Sequence, residues 1–302
     1  MLAISTSWNY QPQSDLKAWL SSVKDLGFDG LEINYSFSRE HLKELPALLK
    51  QFKLKVVSIH NFCPLPDDAP SPRHASNYYR ISALDEEERQ KAVLWTKKTI
   101  DTAQQFDAQV VVIHAGTVEL DEDERFPKFF QLYREGKKDS KEFKEERERI
   151  LHQRKLYISG HLEALNRSFE EIMHYAEKNK IKIGLESRYY PTEIPNFEEV
   201  DYFLNQFYKQ GMFYWHDVGH AEINERLGIY SHKKILEKYQ DKMIGVHLHG
   251  MDGRYDHKAP FMGDFDLGKY LQYFKAPVIK VVETHQSLPE EMKEAVCKLI
   301  CY

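Results

Sequence analysis

Short apolar, β-branched runs alternate with longer amphipathic stretches along the whole chain. Runs at residues 2–6, 30–34, 55–60, 109–114, 182–186, 213–217, 244–249 and 278–283 predict eight strands. Several are almost continuously apolar (VVVIH, KIGLE, VIKVVE), the pattern of parallel strands covered on both faces. Between them, apolar positions recur at helical spacing over 14–26, 41–52, 86–106, a long stretch ending near 178, 197–208, 233–239, 267–274 and 289–300. Strand and helix in regular alternation predict βαβ units. Eight such units predict a closed (β/α)8 barrel, with a doubly wound open sheet as the alternative. Residues 1–302 are therefore expected to form a single barrel domain.

Two stretches break the alternation. Residues 119–154 are highly charged and too long for a routine βα loop. They are expected to form an insertion around the fourth strand and helix. It reads as a solvated helical extension, as a lid that lays Phe126, Phe129, Phe130 and Tyr133 over a ligand, or as an assembly arm of a homo-oligomer. Residues 63–79, rich in Pro and Ser, are a second candidate rim element.

Charge and composition narrow the partners. With 42 basic and 47 acidic residues the net charge is −5, and no broad basic field exists to hold a phosphate backbone, so a nucleic-acid partner is not expected. No run of about 18 apolar residues predicts a membrane-spanning helix. The opening MLAIST runs straight into a strand pattern, and three cysteines do not make a disulfide framework, so a cytoplasmic location is expected.

The candidate chemistry collects at strand ends. The last four predicted strands finish on Glu186, Asp217, His249 and Glu283, one βα unit apart. A barrel returns each unit to the same face, so these four groups converge at the C-terminal mouth. Three carboxylates buried together repel one another unless a cation sits among them. His60 and His114 close the third and fourth strands after apolar runs and aim at the same mouth as Glu186. His220, three residues beyond Asp217, and His257, in RYDHKAP, are candidate substrate-binding groups, as are Arg254 and Glu32. His216, His247 and His285 read as structural, alternating away from the strand-end groups or lying beyond them.

These motifs (LEIN, SIH, VVIHAG, LES, DVGH, HLHG, DHKAP, GDFD and VVETH), in this order, resemble the xylose isomerase-like TIM-barrel superfamily. That superfamily includes sugar isomerases, 3-epimerases, inosose-converting enzymes and an endonuclease IV branch. The resemblance implies that Glu186, Asp217, His249 and Glu283 form its shared metal quartet and that His220 contacts substrate or metal. His249 rather than His247 is taken as the ligand because Asp252 follows it by three residues, as in the family's His-x-x-Asp/Glu pattern. In the endonuclease branch His60, His114 and Glu186 would hold a second ion. A third would require an Asp-x-His pair where this chain carries His257 and Ala259.

Two mechanisms follow. In the first, a divalent ion (Mn²⁺, Mg²⁺ or Co²⁺, whereas Zn²⁺, Mn²⁺ or Fe²⁺ suit the second) chelates a small sugar, polyol or sugar phosphate. Glu186 and Glu283 then move protons through a metal-stabilised enediolate, giving an isomerase or epimerase with no organic cofactor. In the second, two or more ions activate water in a phosphatase or phosphodiesterase acting on a small phosphorylated substrate. An iron-dependent oxidase and a non-catalytic metal-binding module are lesser alternatives.

Overall fold

The computed structural model describes residues 1–69, 78–120, 126–275 and 277–301. Its barrel strands are β1 (Leu2–Ser5), β2 (Gly30–Ile33), β3 (Lys55–His60), β4 (Val110–Ile113), β5 (Lys182–Glu186), β6 (Met212–Asp217), β7 (Met243–Leu248) and β10 (Ile279–Val282). Each pairs in parallel with its neighbours, and the ring closes where β10 pairs with β1. The (β/α)8 barrel expected from the alternation is the fold. A two-stranded antiparallel hairpin, β8 (Gly250–Asp252) and β9 (Tyr255–Lys258), rises from the end of β7.

Helices α1 (Leu16–Asp25), α2 (Arg39–Phe52), α3 (Glu86–Gln105), α4 (Pro127–Arg134), α5 (Lys141–Lys178), α6 (Phe197–Phe207), α7 (Val218–Arg226), α8 (His232–Tyr239) and α9 (Pro289–Ile300) surround the strands. Asp15, Ser38, Asp85, Ser140, Asn196, Asp217 and Ser231 each accept a hydrogen bond from the first turn that follows, satisfying otherwise orphaned N–H groups. The expected helix at 267–274 is instead two short 3-10 turns, Leu267–Lys269 and Leu271–Tyr273. Gly268 lies inside that segment and Pro277 soon after it, too little good helix former to propagate a full turn. Among the described residues no helix is long and apolar enough to cross a membrane.

The core has two parts. A large layer lies between strands and helices, and a small cluster of Ala3, Val57, Val110, Val112, Trp215 and Val281 fills the barrel interior. Trp215 spans much of that interior. A Cβ on Gly184 would lie 3.0 Å from its side chain, and one on Gly245 only 2.1 Å away, so both positions hold glycine.

Of the charged insertion, residues 121–125 lie outside the described residues, as do residues 70–77 of the expected rim stretch 63–79. The remainder forms α4 and the first turns of α5. Phe126 and Phe129 are buried, Phe129 stacking on Phe143 at 4.6 Å. Phe130 packs on Tyr189 and Tyr190 beyond β5, at 6.1 and 5.9 Å.

Candidate metal centre

Strand register determines which side chains enter the barrel mouth. Between β2 and β3 the ladder steps from Leu31↔Val56 to Glu32↔Ser58, leaving Val57 as a bulged residue. The extra residue turns Ser58 and His60 inward, beside Glu32. A matching step between β6 and β7, from Tyr214↔Met243 to Trp215↔Gly245, sets Asp217 opposite His247. Glu186 is the last residue of β5, and Glu283 directly follows β10.

His247 is the hub of the resulting cluster. Its Nδ1 lies 2.9 Å from Glu283 Oε2, 3.2 Å from Glu186 Oε1 and 3.6 Å from Asp217 Oδ2. Its Nε2 is 3.0 Å from Glu32 Oε1, and Glu32 Oε2 also accepts a 2.7 Å hydrogen bond from the Ser58 hydroxyl. All of these groups are buried. Four carboxylates surround one imidazole, whose proton can balance only one of them.

The protonation energetics follow from that crowding. Burial opposes the charge on Glu186, yet His114, His247 and His60 together hold its carboxyl well below the usual range. Burial likewise opposes ionisation of Asp217 and Glu283. Their imidazole neighbours (His220 and His249 beside Asp217, His247 and His257 beside Glu283) override it. For His247 burial disfavours the cation, but Glu283 and Glu32 raise its pKa well above the ordinary value. Asp217 Oδ2 is buried without a hydrogen-bond partner. An orphaned carboxylate oxygen inside a cluster this negative is the donor set of a divalent cation, so Glu186, Asp217, His247 and Glu283 fit one.

This grouping differs from the expected quartet at one position. His247, read as structural, stands where His249 was placed. The two share strand parity, and β7 ends at Leu248, so the ligand-facing residue is one pleat deeper than the strand-end pattern suggests. His249 lies on the flank of the cluster, its Nε2 3.0 Å from Asp217 Oδ1 and its Nδ1 accepting from the His257 N–H at 3.1 Å. Glu32 does not face the mouth; it lies behind His247.

His60 and His114 are brought together as expected, their Nε2 atoms 3.4 and 2.6 Å from Glu186 Oε2, forming a second potential ligand group. Burial and Arg188 depress the His114 pKa to about 3, so this imidazole is neutral and available for ligation at ordinary pH. Asp217, His220 and His257 form a third group. Asp256, not singled out from sequence, stands beside it, 2.9 Å from His257 Nδ1 and 3.7 Å from His220 Nε2. Arg188 was also missed. It is buried two residues beyond Glu186 and pairs with Glu186 at 3.2 Å and Glu193 at 2.5 Å. The only sequence signal was its place just past GLES.

Outside these groups a cavity of about 720 Å³ opens at the mouth, lined in part by Arg188, Tyr189, His220, Arg254, Asp256 and His257. A closed (β/α)8 barrel whose carboxylates and imidazoles converge below such a cavity defines a class of barrels with a metal-competent polar site. The chain belongs to the xylose isomerase-like TIM barrel family, which it matches over residues 20–296. No curated protein gives a significant match. Among solved structures the chain is similar to 3-keto-D-glucoside 4-epimerase from E. coli, with TM-score 0.70, 13% identity, and 100% of this chain and 99% of that one covered. It is also similar to D-psicose 3-epimerase from Clostridium cellulolyticum H10 (TM-score 0.64, 14% identity, 99% and 96% covered). A zinc-bound IolI protein is a further likeness (TM-score 0.63, 16% identity, 99% and 95% covered). At these identities the likeness is one of fold.

Proposed function

We propose that the protein is a divalent-metal-dependent isomerase or epimerase acting on a small sugar, polyol or sugar phosphate. The observation that carries this reading is the His247 cluster, where Glu186 and Glu283 both reach the same imidazole nitrogen and an orphaned Asp217 oxygen completes the donor set. A divalent ion held by Glu186, Asp217, His247 and Glu283 would polarise a substrate carbonyl and acidify the neighbouring C–H. The chain's own groups do the rest. Glu186 and Glu283 come from different strand ends, and both carboxyls are ionised, so either can accept a proton from a carbon held between them. For inversion the partner, first protonated by exchange with solvent, returns a proton to the other face. Glu32, behind His247, fixes the ring orientation and leaves Nδ1 facing the carboxylates. That solved structures of the same fold include sugar epimerases supports the isomerase or epimerase reading.

The test is to incubate metal-supplemented protein with unphosphorylated and phosphorylated ketoses in D₂O. Epimer formation with deuterium incorporated at the inverted carbon is the expected result. Release of phosphate from an ester, without carbon-bound deuterium, would replace the reading with the second one. That second reading, a multinuclear metallohydrolase, rests on the His60–His114–Glu186 and Asp217–His220–His257 groups flanking the first. Two or three ions per chain would favour it, and a single ion would not.

A further inference from the structure

The cavity above the cluster contains three arginines, and their surroundings differ. Arg80 is paired with Glu88 at 2.9 Å and Glu119 at 2.7 Å. Arg188 is paired with Glu186 and Glu193. Both charges are balanced by carboxylates. Arg254 has no carboxylate partner among the described residues. Its guanidinium carbon lies over aromatic rings instead, 4.4 Å from the centre of Phe130 and 5.8 Å from Tyr255. Its Nε is buried and has no hydrogen-bond partner. The backbone is fixed as well, since the Tyr189 hydroxyl donates a 2.6 Å hydrogen bond to the Arg254 carbonyl. Tyr189 in turn packs edge-on against His220 at 6.0 Å, so one aromatic ring separates Arg254 from the edge of the metal-competent groups.

A guanidinium seated over rings, with no carboxylate partner among the described residues, is incomplete. A buried unpaired N–H has a desolvation cost that only a hydrogen-bond acceptor removes. Its planar fork matches the two oxygens of a carboxylate or phosphate. The rings hold that fork at a fixed place on the cavity wall, and Phe130 comes from the insertion that interrupts the barrel alternation.

We infer that Arg254, held by Phe130, Tyr255 and Tyr189, is the subsite for an anionic group at the end of the substrate remote from the reacting carbons. The substrate class is therefore an acidic sugar, a sugar phosphate or a sugar acid, rather than a neutral monosaccharide. This inference rests on the isomerase reading for the other end of the molecule.

The experiment is binding calorimetry on the full chain, with D-fructose, D-fructose 6-phosphate and D-fructuronate as probes. The two anionic ketoses are expected to bind about 10- to 100-fold more tightly than D-fructose, the range for charge-assisted hydrogen bonds. Arg254→Gln is expected to bring that ratio close to one, and Arg254→Lys, which keeps the charge without the planar fork, to leave an intermediate ratio. A preference for the phosphate ester alone assigns the anion as phosphate, and a preference for the uronate alone assigns it as carboxylate. No preference in the wild-type protein overturns the inference, and that measurement needs no variant to fold. A preference unchanged in folded Arg254→Gln overturns it too. The two readings fail separately. Arg254-dependent binding without deuterium exchange on any ketose leaves the subsite standing and removes the isomerase. Exchange on D-fructose with no anionic preference does the reverse.

Discussion

His247 is held at both ends, and that makes it the residue on which the site can be tested. With Nε2 against Glu32 and Nδ1 facing three further carboxylates, its ring has one orientation, and Nδ1 becomes a ligand when an ion displaces its proton. His247→Ala is expected to lose the ion of the carboxylate cluster, as read by elemental analysis, whereas His249→Ala retains it. The opposite pattern would return the ligand role to His249. Glu32→Gln, which leaves the ligands in place but weakens the acceptor behind the ring, is expected to lower metal affinity about 10- to 100-fold in a metal titration. At His114 the sign of the pH effect is set by burial and Arg188, which hold its pKa at about 3 in the folded protein against an ordinary 6.5. Between those values the unfolded chain binds a proton that the folded one does not. The contribution is therefore complete above about pH 6.5 and is lost as pH falls toward 3. Metal-free wild-type protein should lose stability relative to His114→Gln over that window, by on the order of 1 kcal/mol per pH unit. Urea unfolding midpoints between about pH 7 and pH 5 give the comparison, and parallel curves for the two proteins would contradict it. Much of this site was legible because its residues sit at strand ends, where sequence position translates directly into place at the mouth. His247 was not, because the choice between two histidines of equal parity depends on where β7 stops, and no residue type marks that stop. Asp256 and Arg188 lie on segments whose path is set by tertiary packing.

At the level of elements, the eight strands were readable because most are buried on both faces and several carry an almost unbroken apolar run. The helices were readable where an amphipathic stripe runs three turns or more. The short α7 was missed because it begins directly on Asp217, whose carboxylate accepts from the His220 N–H at 2.8 Å while facing the cluster. One residue ends a strand, caps a helix and faces the site. The bulges at Val57 and Ile244 were illegible for another reason: an inserted residue in a ladder changes the partner register, not the local composition. Gly245 lies directly after the second bulge, with its missing Cβ 2.1 Å from Trp215. Gly245→Ala is expected to destabilise the barrel by about 1–3 kcal/mol through overpacking, seen as a lower Tm. Adding Trp215→Phe should recover part of that loss, because the smaller ring vacates the space the methyl needs. Two strictly additive losses would show that the clash is relieved elsewhere.

For the whole molecule, an ion bound as proposed in the negative cluster would contribute part of the folding free energy. Removing divalent metal with a chelator is expected to lower Tm, and restoring it at about 100 times its dissociation constant to return about 2.7 kcal/mol. An unchanged Tm would mean that the cluster holds no ion in the folded protein. The Trp215 ring packs 5.2 Å from His247 within the barrel interior and, with the valines around it, seals the barrel beneath the site. Among the described residues the chamber is thus a cul-de-sac whose doorway is at the C-terminal rim. Incoming and outgoing molecules must pass each other's route in turn, never by separate exits. Any compound that lodges in the doorway should slow traffic in both directions of a reversible reaction by the same factor.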